Sequence, residues 1–180
     1  MKIRNAVTAN DYQNIKKVFL TAFPREERPP FFMMKRKAQK RKGMFLLIEE
    51  EKQFLGFFHI ILSKDLVYLA FFAMSEESRN HGYGSKALAQ LKQRYAGKRI
   101  LIACEKLDPF AKNYAVRVHR HNFYRRNGFI DLPCEIVEAK IHYDAMSTGP
   151  VQPEEYDQII HEWGSPWMTH FIGLQMINTK

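Results

Sequence analysis

Residues 79–85 read Arg79-Asn80-His81-Gly82-Tyr83-Gly84-Ser85, between an apolar run over 66–74 and a helical pattern over 85–95. A strand, a glycine turn and a helix start are the parts of an anion site. Glycines let backbone N–H groups approach a phosphate closely, and a helix N-terminus adds partial positive charge. Arg79 can contribute a charge-assisted hydrogen bond. The segment is therefore expected to grip a pyrophosphate. Two familiar grips do not fit. A Walker loop needs lysine and then Ser or Thr after its second glycine, whereas Gly84 is followed by Ser85-Lys86. A Rossmann turn needs G-x-G-x-x-G early in the fold, and here only Gly82-x-Gly84 is present, late and after strands joined by short turns.

The elements around this loop can be read from pattern. Residues 2–6 make a short first strand. Thr8-Ala9-Asn10-Asp11 has the form of a capping box, and Ile15, Val18, Phe19 and Ala22 then share one helical face up to Pro24. Residues 25–30 form a charged loop stiffened by two prolines, and a second helix runs from about Phe31 through Ala38 and ends near Gly43. Strands follow over 44–49, 54–62 and 66–74, with polar turns short enough for antiparallel hairpins. The helix after the glycines turns Ala87, Leu88, Leu91 and Tyr95 inward and ends at Gly97. Residues 99–104 make the next strand, reached by a right-handed parallel crossover. A basic helix occupies about 115–127 and stops at Gly128, residues 129–147 return as two strands, and 153–163 read as a helix. This order predicts an α/β (α+β) fold: one domain with a mixed, mostly antiparallel central sheet flanked by helices. The domain is expected over 1–147. Residues 148–180, with Trp163 and Trp167, are expected as an extension packed on it or on a partner.

Composition narrows the class. The 180 residues suffice for one domain with a real core, and no apolar run approaches the length that spans a bilayer. The first residues, Met1-Lys2-Ile3-Arg4-Asn5, lack the apolar stretch of a signal peptide. Cys104 and Cys134 have neither framework nor metal-ligand spacing, so a reduced, cytoplasmic protein without a metal is expected. The net charge of +9 implies an anionic partner: cofactor, substrate or nucleic acid.

A second motif, Phe123-Tyr124-Arg125-Arg126-Asn127-Gly128-Phe129, lies downstream of the first. With it the chain resembles the GNAT acetyltransferase superfamily. The loop matches the family's R/Q-x-x-G-x-G/A, and the second motif matches its F/L-Y-x-x-x-G-F at the end of the next helix. The element order agrees, and the resemblance covers roughly residues 1–147. One departure is Arg117, in the run Arg117-Val118-His119-Arg120, where many relatives place an asparagine seven residues before the tyrosine.

The resemblance implies acetyl-CoA as co-substrate. Arg79, the backbone amides of Asn80, His81, Gly82, Tyr83, Gly84 and Ser85, and Tyr124 would contact it. Pantetheine would run along Phe72, Ala73 and Met74 like an added strand, with the Met74 N–H facing the oxyanion. Arg117, Arg120, Arg125 and Arg126, beside the cofactor helix, are candidates to reach CoA phosphates. Tyr124 is the candidate general acid, since a phenol is protonated at neutral pH. For the base the candidates are Glu105, at the end of the strand after the cofactor helix, and Glu76 or Glu77; a water relay stands beside them. The acceptor would be the primary amine of a small molecule or peptide, attacked directly, by a monomer or homodimer acting away from any membrane.

His59, in an apolar strand, either faces a substrate cleft or sits in the core. His119 and His121 point to different helix faces and make a poor metal pair. The Phe31-Phe32-Met33-Met34 run reads as core or as lining of an acceptor cleft. The basic cluster of Lys35-Arg36-Lys37 and Lys40-Arg41-Lys42 reads as a solvated face, without the aromatic interleaving of a base-stacking surface. A non-catalytic module that senses acyl-CoA or binds nucleic acid is the alternative class.

Overall fold

Apolar periodicity resolves into eight strands and five helices in a computed structural model that describes residues 1–164 and 174–179. In chain order they are β1 (Lys2–Asn5), α1 (Ala9–Ala22), α2 (Phe31–Gln39), β2 (Met44–Glu50), β3 (Gln53–Leu62), β4 (Leu66–Met74), α3 (Tyr83–Arg94), β5 (Arg99–Glu105), α4 (Tyr114–Arg126), β6 (Ile130–Glu138), β7 (Ile141–Ser147), α5 (Pro153–Trp163) and β8 (Gln175–Asn178). The strands follow the order β1-β2-β3-β4-β5-β7-β6-β8, and β4 with β5 is a parallel pair in a mostly antiparallel sheet. The expected fold class holds. Trp167 lies outside the described residues.

The chain divides into two compact units. The first comprises residues 1–62 and 69–96. Its α1 starts at the predicted capping box: the Asp11 N–H donates to Thr8 Oγ1 (3.1 Å), and Asp11 Oδ2 accepts from the Thr8 N–H (2.9 Å). Ile15 and Phe19 of α1 and Met34 of α2 pack with Phe45, Leu47, Phe57 and Ala73 of the strands. α3 buries Ala87, Leu88 and Leu91 and is tied to β1 by Gln90 Nε2, which donates to the Met1 carbonyl at 2.8 Å.

The second unit comprises residues 63–68 and 97–180. Here α5 buries Tyr156, Ile159 and Ile160. Arg99 of β5 clamps Glu155 at the start of α5 with two hydrogen bonds, 3.0 and 2.5 Å. β8 pairs with β6, Met176 opposite Ile136. Sequence pattern missed β8: with two apolar residues in four, it exists through its pairing.

Candidate active site

One candidate site lies in the first unit. The ladder between β4 and β5 is three residues long, 66–68 against 99–101. Beyond it β4 stays bonded on its β3 side, where the Ser75 N–H donates to the Leu55 carbonyl at 2.8 Å. Ala73 and Met74 thus end β4 past the point where its other ladder has stopped. Gly56 of β3 explains how close the chains come here. A Cβ on it would stand 2.5 Å from the Ala73 carbonyl oxygen and 2.9 Å from Met74 Cα. Phe72 stacks on Phe58, centroids 4.5 Å apart.

After β4 a 3₁₀ turn, Glu76–Ser78, leads to the glycine loop. Asn80 (φ 64°) and Gly82 (φ 76°) are both left-handed, so the loop coils tightly before α3. A Cβ at Gly82 would meet nothing within 4 Å; backbone conformation, not space, calls for glycine there. α3 begins at Tyr83, two residues before the periodicity places it, so Tyr83 and Gly84 form its first turn. The Lys86 N–H makes the first bond of the helix, to the Gly82 carbonyl at 3.3 Å. The N–H groups of Tyr83 and Gly84 precede it and have no acceptor inside the helix. No acidic residue lies in the first turn, and residues 79–82 are exposed. Donors, charge and access therefore suit a pyrophosphate.

Two side chains of the loop have partners within the first unit. Arg79 Nε turns back to the Met74 carbonyl, 3.4 Å away. The Tyr83 hydroxyl bonds Glu50, which raises the phenol and lowers the carboxyl from their ordinary pKa values. Glu76 and Glu77 are exposed.

The second unit, described by itself, has a cluster of its own where β5 ends and α4 begins. Tyr124 is buried, its ring 5.3 Å from those of Phe123 and of Phe129, which follows Gly128 at the end of α4. Burial raises its pKa well above the usual phenol range; Cys104 adds to this and Arg120 opposes it. The phenol is thus protonated throughout the neutral range. Burial also pushes the Cys104 thiol up to about 12.

Glu105 is held on all sides. One carboxylate oxygen accepts from Arg120 Nη1; the other accepts from Asn113 Nδ2 at 3.2 Å and lies 3.7 Å from Arg117 Nε. Its backbone carbonyl takes a hydrogen bond from His121 Nε2 at 2.9 Å. Arg117 donates to the Lys106 carbonyl and to Asn113 Oδ1, both at 2.8 Å. The fold thus gathers Glu105, Arg117, Arg120 and Tyr124, together with Cys104, at one strand end. Arg125 is spent on Asp131, at 2.8 and 3.1 Å.

His59 is core, in the first unit, 4.5 Å from the Phe45 ring. Neither of its ring nitrogens has a hydrogen-bond partner, and burial lowers its pKa to about 3, so it is neutral. Sequence reasoning missed Gly56 and the Glu105–Arg120 pair. A glycine inside a strand is a recognised sign of close backbone approach and could have flagged the former. The latter depends on how α4 is rotated, which spacing alone does not give.

Comparison with known proteins places these observations. The model of the Acetyltransferase (GNAT) family matches residues 12–129. No curated protein matches the chain in sequence. Among solved structures, a chain from Bacteroides thetaiotaomicron assigned to the GNAT acetyltransferases is similar with TM-score 0.75 and 21% identity, over 96% of this chain and 99% of that one. An aminoglycoside 6'-N-acetyltransferase complexed with coenzyme A is similar with TM-score 0.64 and 13% identity, over 84% and 99%. A GNAT family acetyltransferase from Elizabethkingia anophelis with acetyl-CoA bound gives 0.56 and 12%, over 83% and 97%. At these identities the likeness is one of fold.

Proposed function

Because the chain belongs to the GNAT acetyltransferase family, we propose that it transfers an acetyl group from acetyl-CoA to a primary amine by direct attack. The observation that carries the reading is the run from the end of β4 through the left-handed glycine loop to the uncapped start of α3. Acetyl-CoA supplies an activated acyl group on a thiol that leaves. The N–H groups of residues 80–85 would hold its pyrophosphate, and Ala73 and Met74 its pantetheine arm. The Met74 N–H would donate to the acetyl oxygen as charge develops on it.

Tyr124 would give its proton to the departing thiolate, a role for which a phenol that stays protonated at neutral pH is suited. Direct attack, rather than an acyl-cysteine, fits a Cys104 thiol that burial keeps protonated. The amine nitrogen forms the new bond to the acetyl carbon as the carbon–sulfur bond breaks, and its own proton passes to water. No helix among the described residues is long and apolar enough to cross a membrane. Two buried free cysteines fit a reducing, cytoplasmic setting.

The test is acetylation of spermidine, kanamycin and a lysine-containing peptide with acetyl-CoA, followed by mass spectrometry. Acetylated amine is expected with at least one of them. Tyr124→Phe is expected to slow turnover by roughly 10²-fold or more, with acetyl-CoA affinity unchanged. Unchanged turnover in that variant removes Tyr124 from the acid role.

A further inference from the structure

We propose that Glu105 is a positioning residue: it holds the Arg120 guanidinium within electrostatic reach of the Tyr124 phenol, where the cation eases loss of the phenolic proton. The proposal rests on Tyr124 being the acid. It assigns Glu105 a task other than deprotonating the amine.

The geometry begins with the helix. Arg120 and Tyr124 are four residues apart on α4, so their side chains occupy the same face. Arg120 is long and its side chain is 41% exposed, so without a partner its charge would extend into water. Glu105 prevents that. Its side chain is only 16% exposed and is itself fixed by Asn113 and by the nearby Arg117. Its peptide carbonyl is fixed by His121. Four groups of α4 and its N-cap thus converge on one residue at the end of β5.

Competing charges nearby are engaged elsewhere. Asp131 pairs with Arg125, and Glu135 takes Lys106 at 2.6 Å and His142 at 2.8 Å. Asp144 lies 3.8 Å from His121 Nε2 and accepts the Leu107 N–H at 3.4 Å. Among the described residues, Glu105 is the ion-pair partner of Arg120.

A chemical need for such a cation follows from burial. An enclosed phenol must carry developing negative charge as its proton moves to the thiolate sulfur, and low dielectric makes that charge costly. A fixed guanidinium nearby offsets part of the cost, as preorganised charge does in other active sites. The proton leaves the Tyr124 oxygen and bonds to sulfur; the phenolate left behind recovers a proton from water before the next cycle. A carboxylate whose oxygens already accept from arginine and asparagine is poorly placed to take a proton from an amine. As a holder of Arg120 it needs only to accept a hydrogen bond from it, which the single amide oxygen of a glutamine can do in part.

The experiment compares Glu105→Gln, Glu105→Ala, Arg120→Gln and Arg120→Lys, alone and with Tyr124→Phe. Turnover is read with whichever of spermidine, kanamycin or the lysine peptide the wild-type protein acetylates, and acetyl-CoA affinity is measured for each variant as a check on folding. Arg120→Gln and Glu105→Ala are each expected to lower kcat by about tenfold with acetyl-CoA affinity retained. Arg120→Lys is expected to recover part of the loss, and Glu105→Gln to lose less than Glu105→Ala. In the Tyr124→Phe background, Arg120→Gln is expected to cost nothing further.

Three results among these variants overturn the proposal, and a fourth overturns it through the acid assignment. The first is a Glu105→Gln loss as deep as Glu105→Ala together with disappearance of the acidic limb of the kcat/KM pH profile, which is the behaviour of a base. The second is an Arg120→Gln effect of the same size with or without Tyr124. The third is unchanged kcat in Arg120→Gln. If Tyr124→Phe itself turns over normally, the acid assignment falls and this proposal falls with it. If Tyr124→Phe is slow and Arg120→Gln is not, the positioning role alone is wrong.

Discussion

Asp11 and Glu138 are both carboxylates taken out of water, and they respond in opposite directions. Asp11 accepts from Arg4 at 2.9 and 2.8 Å and from the N–H groups of Val7 and Thr8, and the Arg4 hydrogen bonds come first in holding its pKa well below the ordinary carboxylate range. Glu138 has no cation as partner among the described residues. Its carboxylate accepts from the Tyr68 hydroxyl at 2.5 Å and the Tyr156 hydroxyl at 2.9 Å, and burial raises its pKa. A lowered folded value means stability that is present above the unfolded pKa, about 3.9 for Asp, and is lost as pH falls toward the folded one. A raised folded value means stability that is full below the unfolded pKa, about 4.3 for Glu, and is lost as pH rises through the folded one.

Asp11→Asn is therefore expected to cost about 2 kcal/mol at pH 7, since it removes a cap and an ion pair with a partly exposed arginine, and to cost less near pH 2. Glu138→Gln is expected to leave stability within about 1 kcal/mol at pH 4 and to raise it relative to the native chain at pH 8. Denaturant melts across pH check both. Asp11 was legible from the sequence because its capping partner is three residues away. Glu138 was not, because Tyr68 is 70 residues away and no local pattern links them.

At the scale of elements, Gly56 is the instructive position. It sits in the middle of β3 with no side chain, and the room it leaves is taken by the Ala73 carbonyl and Met74 Cα of β4. Gly56→Ala is expected to destabilise by roughly 1–3 kcal/mol through overpacking. It should also shift the Ala73–Met74 backbone and so weaken acetyl-CoA binding more than an alanine elsewhere in β3. Melting temperature and acetyl-CoA affinity, measured together, decide it: normal affinity in the variant would dissociate this strand end from the cofactor.

The order of elements was readable almost throughout, because capping, prolines and glycines punctuate the chain where the structure turns. The start of α3 was misplaced by two residues, since Tyr83 and Gly84 look like turn but continue the helix. β8 was unreadable, since four residues acquire strand character only beside β6.

For the whole molecule, the net charge of +9 has to be read beside where its arginines work. Arg4, Arg99, Arg117, Arg120 and Arg125 each hold a carboxylate or a backbone carbonyl within their own unit. These arginines are internal fasteners whose charge is largely cancelled by the carboxylates they hold, so the excess of +9 rests on other basic residues. The conformation of the glycine loop could be read from the sequence because its logic is local: a strand, a left-handed turn and a helix start within a dozen residues. The surroundings of Glu105 and Tyr124 could not, because each depends on which way a helix faces a strand.

The central claim is that this loop and strand end bind acetyl-CoA. Its most direct test is the thermal stability of the protein with and without acetyl-CoA, beside a variant carrying Gly82→Val and Gly84→Val that is first shown to be folded. At about a hundred times its Kd the ligand should stabilise the native protein by about 2.7 kcal/mol, and the variant should show no shift. An absent shift in the native protein, or an equal shift in both, would contradict the account.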